Sequence, residues 1–478
     1  MQTSLFPDAG ADTAPLLSLD WDARRERVKA RFEAAVAVVL EHVVQAGYTP
    51  RVAFSGDKDS LTTLIVVCEA LRRLRGSGVA PPTLHLTSAD TRVENPAVIE
   101  LIQSDHAALR AWGAAQGISV KSEIVGPPLS SDLWVQVIGG RSLPPHRALK
   151  RTNCSVDWKV RPSMRATRRL NAALRESGKG ESVTLLGTRF DESDRRSARM
   201  RMRGESATTV RIGNVDGVEY LTLSPIAEWA QEEVFALLQG VGDGWIPSFR
   251  GDHNETLRLY NDAAGFGCVL VPDPGQIKRA KGCGSRLGCW SCLQVEEDRA
   301  LKNMLMLDEH AAVAPLNALR SVLDRVALDA GMRDTRITSV NLERGTCKVE
   351  PGGRLSAQVR EDLLMTVLSV QAMEVERAGR EGESTRFTIL SAEQLVAIDY
   401  LWSVDGGHAP HAALRISREV ESGARMLPQD WGGDRAAAWR PDGGAFMCAI
   451  PAALLRGAEL SDDPLACQRR LKTDPLSG

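Results

Sequence analysis

Two short stretches of this 478-residue chain concentrate residue types that can do chemistry. The first is VAFSGDKDS, residues 52–60. An apolar run stops at Ser55-Gly56, a lysine and two hydroxyls crowd in behind it, and helical spacing follows. A strand, a tight turn and a helix start would aim backbone N–H groups and the positive end of the helix at an anion. Ser55 and Ser60 offer hydroxyls, Gly56 makes the turn, and Lys58 offers a mobile cation between Asp57 and Asp59. This is not a Walker A loop, whose G-x-x-x-x-G-K-S/T is absent. The second stretch is KGCGSRLGCWSC, from Lys281 to Cys292. Cys289 and Cys292 form a C-x-x-C pair and Cys283 lies six residues earlier. With a fourth thiolate these could hold zinc or a four-iron cluster, and spacing alone does not choose between them. Cys154, in the polar, basic KRTNCSVDWK, is the best fourth ligand. Cys268 competes for the place, although GFGCVLV reads as strand packing. Cys68 sits on an apolar helix face and reads as core; Cys347, Cys448 and Cys467 are scattered and read as structural.

The elements that must position these residues alternate. Trp21 to about Gly47 reads as a helix, with Val28, Phe32, Ala35, Val39 and Val43 at helical spacing. Strand patterns fall at Arg51–Phe54, Thr83–Thr87, Ile118–Ile124 and Ser182–Leu186, with helical patterns after the first two. That alternation predicts an α/β fold with a wound, mostly parallel sheet, whose ligands bind at the carboxyl ends of the strands. Ser55-Gly56, Asp90-Thr91 and Gly187-Thr188-Arg189 all fall at such ends. A further helix is expected over Pro225–Gly240. The pattern divides the chain into a disordered start (1–20), a nucleotide domain (21–245), a cysteine-rich segment (246–300) and a mainly helical α+β C-terminal domain (301–478). In the last, helical spacing at Pro315–Ala330 precedes a strand-like piece near Ile337–Val349. Ser391 and Gln394 make a capping box before LVAIDYLW. No residue pattern there converts to chemistry, so a packing or partner-binding role is expected.

The bulk numbers exclude several classes. Hydrophobic residues are 43% and charged residues 25% of the chain, as in globular proteins. No run of about 18 apolar residues occurs. The N-terminus lacks the basic and apolar regions of a secretory signal, so a cytoplasmic protein is expected. Net charge is −2, but its distribution is uneven. Arg141–Arg169 holds nine Lys or Arg against Asp157 alone, and Arg195–Arg211 holds six Arg against Glu205 alone. Each run is either a solvated helix face or a seat for a polyanion.

SGDKDS resembles the S-G-G-x-D-S loop of PP-loop ATP pyrophosphatases. The resemblance implies the adenine nucleotide alpha hydrolase type of sheet and cleavage of ATP between its α and β phosphates. Asp57 stands where that family has glycine, which makes it a Mg²⁺ neighbour, a detuning charge or a substituted position. TSADTRVENPAV (87–98) and LGTRFDESDRR (186–196) resemble the phosphoadenosine-phosphosulfate reductase branch. This implies that Asp90, Thr91, Gly187, Arg189, Glu192, Ser193 and Arg196 line the nucleotide and acceptor cleft. Together with G-C-W-x-C, these strings are similar to the DndC- and SspD-type proteins of bacterial DNA phosphorothioation systems, over roughly residues 30–300. That similarity implies ATP with Mg²⁺ and a [4Fe-4S] cluster rather than zinc, on Cys154, Cys283, Cys289 and Cys292. It also implies DNA contacted through its phosphate backbone, a cysteine desulfurase as sulfur donor and the other proteins of such a system as partners. Lys58, Ser55, Ser60 and Arg189 become the expected catalytic set. Sulfonucleotide reduction and tRNA thiolation remain alternatives in the same superfamily. The former expects an E-C-G-x-H tail, absent around Cys467; the latter expects a second C-x-x-C pair. A non-catalytic iron–sulfur DNA sensor is the alternative of another class.

Overall fold

The central strands, Thr49–Ala53 and Ser182–Leu186, are buried on both faces and so need helices on both sides, which the chain supplies in alternation. The computed structural model describes residues 21–150, 152–265, 287–341, 346–424 and 446–449. Helix α1 (Trp21–Val39) runs into a π-helical turn at Leu40–Gln45. Then come β1 (Thr49–Ala53), α2 (Lys58–Gly76), β2 (Leu84–Ala89), α3 (Pro96–Gln116), β3 (Val120–Val125) and the short α4 (Leu133–Ile138). Next are α5 (Arg161–Glu176), β4 (Ser182–Leu186), α6 (Asp194–Met202), the hairpin β5 (Arg211–Val215) and β6 (Val218–Leu223), α7 (Gln231–Gly242) and α8 (Asn254–Ala264). The strands form one six-stranded sheet in the order β3-β2-β1-β4-β6-β5. All neighbours pair in parallel except the β5–β6 edge. The α/β fold and wound, mostly parallel sheet expected from the sequence are therefore present, with the strand ends after β1, β2 and β4 where the motifs placed them.

One buried cation fixes the layer that carries the thiol arm. Arg51, in the middle of β1, is 2% exposed. Its guanidinium donates to Thr87 Oγ1 of β2 (3.2 Å), Thr184 Oγ1 of β4 (3.2 Å) and Ser163 Oγ of α5 (2.8 Å). Burial pushes its pKa down to about 10. These bonds tie α5, and the π-helical turn Val156–Val160 before it, to the central strands.

The C-terminal part contains α9 (Arg299–Met304), α10 (Ala314–Leu328), β7 (Arg333–Asn341), β8 (Thr346–Leu355), α11 (Ala357–Glu381), α12 (Ala392–Asp405), α13 (Ala412–Glu421) and β9 (Phe446–Ala449). The last strand joins β7 and β8 in an antiparallel sheet. A first core packs Val36, Leu64, Leu86, Val183 and Leu237 around the large sheet. A second gathers Trp134, Trp290, Leu319, Leu364 and Trp402, and so draws on both sides of residue 300. Trp402 Nε1 donates to the Ile138 carbonyl at 2.7 Å, fastening α12 to α4.

Some boundaries differ from the sequence expectation. The helix expected from Pro225 starts at Gln231, because Ser224–Trp229 closes in turns and Glu233 caps the Ala230 N–H at 2.9 Å. The piece expected near Ile337–Val349 is two antiparallel strands, β7 and β8. The Ser391–Gln394 capping box forms as expected. The start expected to be disordered, and the positions of Cys268, Cys283 and Cys467, lie outside the described residues. Among the described residues, no helix is long and apolar enough to cross a membrane.

Candidate functional site

The turn after β1 is built by Gly56 and Asp57. Gly56 adopts φ +72°, and a Cβ there would lie 2.5 Å from Ile102 Cγ1, so glycine alone fits without strain. Asp57 is the N-cap of α2: its Oδ1 accepts from Ser60 N at 2.7 Å and its Oδ2 from Ser55 Oγ at 2.8 Å. Ser60 Oγ in turn accepts from Ser55 N (3.2 Å) and lies 3.1 Å from Ser55 Oγ. Asp57 thus satisfies a helix-end donor that an anion would otherwise attract. Gly187, just after β4, explains how tightly this turn is held from the other side. A Cβ on it would sit 2.5 Å from Ser60 N and 2.6 Å from Asp59 C.

The sequence reading gave Lys58 the role of a mobile cation. Here it is 9% exposed, its Nζ bonded to Asp59 Oδ2 at 2.7 Å and set over the Tyr260 and Phe235 rings at 5.4 and 5.9 Å. Arg189 is 1% exposed; its Nε donates to Asp59 Oδ1 at 2.7 Å and its Nη1 to the Trp229 carbonyl at 3.1 Å. The two cations therefore share Asp59 beneath the first turn of α2. Glu192 Oε1 accepts from Arg189 N at 3.2 Å and Glu192 pairs with Arg196, while Ser193 is the N-cap of α6. Thr188 Oγ1 donates to Glu205 at 2.7 Å.

At the end of β2, Asp90 caps its own turn through Arg92 N at 2.7 Å, and burial pushes its pKa up. Thr91 Oγ1 donates to Glu94 Oε1 at 3.0 Å and stands 3.5 Å from Cys289 Sγ. Cys289 Sγ also lies 3.6 Å from Glu94 Oε1. A β-bridge between Glu94 and Cys289, together with the Trp290 N–H on the Val93 carbonyl at 3.0 Å, zips the cysteine stretch to this strand end. Arg320, reaching from α10, pins the C-x-x-C turn by donating to the Cys292 carbonyl at 3.0 Å and the Val295 carbonyl at 2.8 Å. Burial, then Glu94, pushes the Cys289 thiol up to about 12. Burial and the nearby Cys292 also raise Cys154. Cys154, Cys289 and Cys292 are thus brought together from two distant parts of the chain. Cys283, their expected companion, lies outside the described residues. Three thiols drawn from two parts of the chain are a donor set that either zinc or an iron–sulfur cluster would accept. Cys68 and Cys347 are buried in packing positions, as the sequence reading expected.

Lys159 is a candidate residue the motif reading passed over. It is half-exposed, and its Nζ bonds Glu94 Oε1 at 2.6 Å. Burial works against its charge, but Glu94, Cys289 and Asp57 together hold its ammonium above the ordinary lysine range. One flexible cation therefore stands within electrostatic reach of both the turn after β1 and the thiols. Its position five residues after Cys154 was the available signal, hidden in a run of nine basic residues. Of that run and the next, Arg141, Arg161, Arg169, Arg196 and Arg203 are engaged by carboxylates of the chain itself. Arg147, Arg165, Arg168 and Arg199 are exposed and make no ion pair among the described residues.

No family model matches the sequence, and no curated protein sequence matches it. Solved structures are similar over part of the chain. FMN adenylyltransferase from Candida glabrata, in complex with FMN and an ATP analog, has 8% identity and a TM-score of 0.26, over 46% of this chain and 61% of that one. The U34-tRNA thiolase NcsA from Methanococcus maripaludis, with its [4Fe-4S] cluster, has 14% identity and a TM-score of 0.28, over 46% and 63%. Yeast FAD synthetase in complex with FAD has 10% identity and a TM-score of 0.26, over 46% and 65%. This chain thus spans under two thirds of the length of these proteins.

Proposed function

We propose that this chain is a PP-loop ATP pyrophosphatase that activates a backbone phosphate of DNA for replacement of one oxygen by sulfur. The observation that carries the reading is Lys159 Nζ on Glu94 Oε1 at 2.6 Å, the same carboxylate oxygen that lies 3.6 Å from Cys289 Sγ, with the Asp57 charge adding to the hold on its ammonium. A phosphodiester oxygen is a poor leaving group. Attack of that oxygen on the α-phosphorus of ATP breaks the α–β bond, releases pyrophosphate and leaves the DNA phosphate joined to AMP as a mixed anhydride. Sulfur arriving as hydrosulfide then forms the P–S bond; AMP departs with the oxygen, and one proton is released. Two anions must approach each other in this scheme. Backbone N–H groups at the start of α2, Mg²⁺ entering with ATP, and Lys159 screen that repulsion. Lys58 and Arg189 act from beneath, by holding Asp59 and so the pitch of the first turn.

Cys154, Cys283, Cys289 and Cys292 are the residues that would hold an iron–sulfur cluster. When bound, it would supply a site at which sulfide is kept available and reactive. The buried thiol of Cys289, protonated at neutral pH on its own, needs a metal to become a thiolate. A cysteine desulfurase would supply the sulfur as a persulfide, and a thiol reductant would give it the two electrons that release it as hydrosulfide. Exposed Arg147, Arg165, Arg168 and Arg199 would meet the DNA backbone through phosphate contacts that read no sequence. The test uses anaerobically reconstituted protein with ATP, Mg²⁺ and duplex DNA. AMP and pyrophosphate are the expected products. ADP and phosphate, or nucleotide bound without turnover, would remove the reading.

A further inference from the structure

The C-terminal part, which carries no chemical motif, forms one wall of a cavity beside the thiols. The cavity has a volume of ≈ 630 Å³, inside the roughly 300–1,000 Å³ range of small-ligand clefts. Its inner wall is the end of β2 and the first half of α3; its outer wall is residues 383–389, the connection between α11 and α12. That connection is held in place from α11. Arg386 N donates to Glu374 Oε1 at 2.6 Å, and Ile389 N and Leu390 N donate to Gln371 Oε1 at 2.8 and 2.9 Å. Trp290, next to Cys289 in sequence, lies on the same lining.

The lining says what fits. Four carboxylates, Asp90, Glu94, Glu100 and Glu383, face two guanidiniums, Arg92 and Arg386. Arg92 is already bound to Asp132 at 2.9 Å, Arg386 lies 3.4 Å from Glu383, and Glu94 is held by Lys159 at 2.6 Å, so Asp90 and Glu100 set the sign of the lining. A phosphate would be repelled. A neutral planar group with amine donors on its edge and apolar faces would not, because carboxylates accept such donors and Phe387 and Trp290 border them. Glu94 belongs both to this wall and to the Lys159–Cys289 contacts, so an occupant of the cavity is a close neighbour of whatever reacts at the thiols.

We infer that the cavity receives one unstacked nucleobase bearing an exocyclic amine, while the phosphate of the same strand lies outside it at the loop and thiols. The inference rests on the nucleic-acid reading above. It assigns base selection to the C-terminal wall, and extrusion of a base from the stack is the step that makes such reading possible. The test is fluorescence anisotropy of the full, reconstituted protein with a set of duplexes, each carrying one abasic position. One position is expected to weaken binding about tenfold when its base is removed, with its neighbours changing less than about twofold. Ser384→Trp, an exposed loop substitution that fills the cavity, should flatten this profile and bring the intact duplex down to the abasic level. Glu100→Gln should weaken binding only where that base is present. A flat profile in the native protein, a Ser384→Trp profile like the native one, or no binding of any duplex would overturn the inference. AMP formation is read on the native preparation in parallel. AMP formed with a flat profile removes the base pocket alone; a base-dependent profile without AMP removes the proposed reaction alone.

Discussion

Asp57 carries a negative charge to the place where the proposed reaction needs a polyphosphate, and its substitution separates its two roles. Its Oδ1 caps α2 through Ser60 N at 2.7 Å, and its Oδ2 takes the Ser55 hydroxyl at 2.8 Å. The variant Asp57→Asn keeps an oxygen for the cap, and asparagine ranks with aspartate as an N-cap, so the stability change should stay below about 0.5 kcal/mol. The charge change is larger. A unit charge about 5 Å from a phosphate oxygen, at an effective dielectric of about 20, contributes roughly 3 kcal/mol of repulsion. Screening and solvent exposure reduce this, so at least about tenfold tighter ATP binding is expected from Asp57→Asn in EDTA, with a smaller gain when Mg²⁺ is present. The assay is isothermal titration with a non-hydrolysable ATP analog, with and without Mg²⁺, beside a thermal melt. Equal or weaker binding by the variant in EDTA, with an unchanged melt, would refute the placement of the polyphosphate at this turn. Asp57→Ala should cost about 1 kcal/mol of stability through loss of the cap and gain no more affinity than Asp57→Asn.

Lys159→Met should lower AMP formation at least about tenfold and also destabilise the fold, since Glu94 is left buried without its cation. Adding Glu94→Gln should restore the melting temperature and not the activity; recovered activity would make Lys159 a purely structural partner. Gly187→Ala should cost about 1–3 kcal/mol, because backbone atoms of Asp59 and Ser60 would meet the new Cβ at 2.5–2.7 Å and no rotamer relieves them. Denaturant unfolding of this variant at native stability would contradict the packing of β4 against α2. His85, His106 and His253 are pushed down to about 4 by burial. The unfolded chain binds these protons near the ordinary value of 6.5 and the folded chain resists until about 4. Stability should therefore fall as pH drops through this window. Asp105, raised to about 7 by burial despite Arg250 at 2.8 Å, opposes that trend as it protonates, as do Asp90 and Asp298, also raised by burial, while His408, lowered by burial, adds a fourth histidine to the other side. A urea midpoint that holds or rises between about pH 6.5 and 4.5 would sink this expectation, and His106→Gln should shallow the slope.

The parallel half of the fold was legible because its signals are local. The alternation of buried strands with amphipathic helices needs only neighbouring residues, and the turn at Ser55-Gly56 follows from a strand stopping where a helix begins. The edge hairpin of β5 and β6 was missed because Arg211–Val215 presents a polar, exposed strand with no apolar period. The convergence of Cys154 with Cys289 and Cys292 was legible from residue type. What fixes it, Arg320 on α10 and the bridge from Glu94 to Cys289, was not, since partners 28 and 195 positions apart leave no mark in spacing.

Charge at the strand ends shows why residue type alone assigns roles poorly. Lys58 and Arg189 sit in the motif positions, and a motif gives a residue no depth. Both are buried against Asp59, with Asp191 3.4 Å from Arg189 as a second carboxylate, so two negative charges offset their two positive ones before any ligand arrives. Lys159 differs in the one respect that matters for an anion arriving from solvent: its chain is half-exposed and long enough to swing while Glu94 anchors it. If polyphosphate draws that ammonium toward the loop, Glu94 loses a counter-charge at the moment its neighbour Cys289 must act, so nucleotide binding and sulfur chemistry are linked through one side chain. The linkage is measurable as a change in the visible spectrum of the reconstituted protein on adding pyrophosphate. The change should be present in the native chain and absent in Lys159→Met. A spectrum indifferent to pyrophosphate in the native chain would separate the two halves of the site.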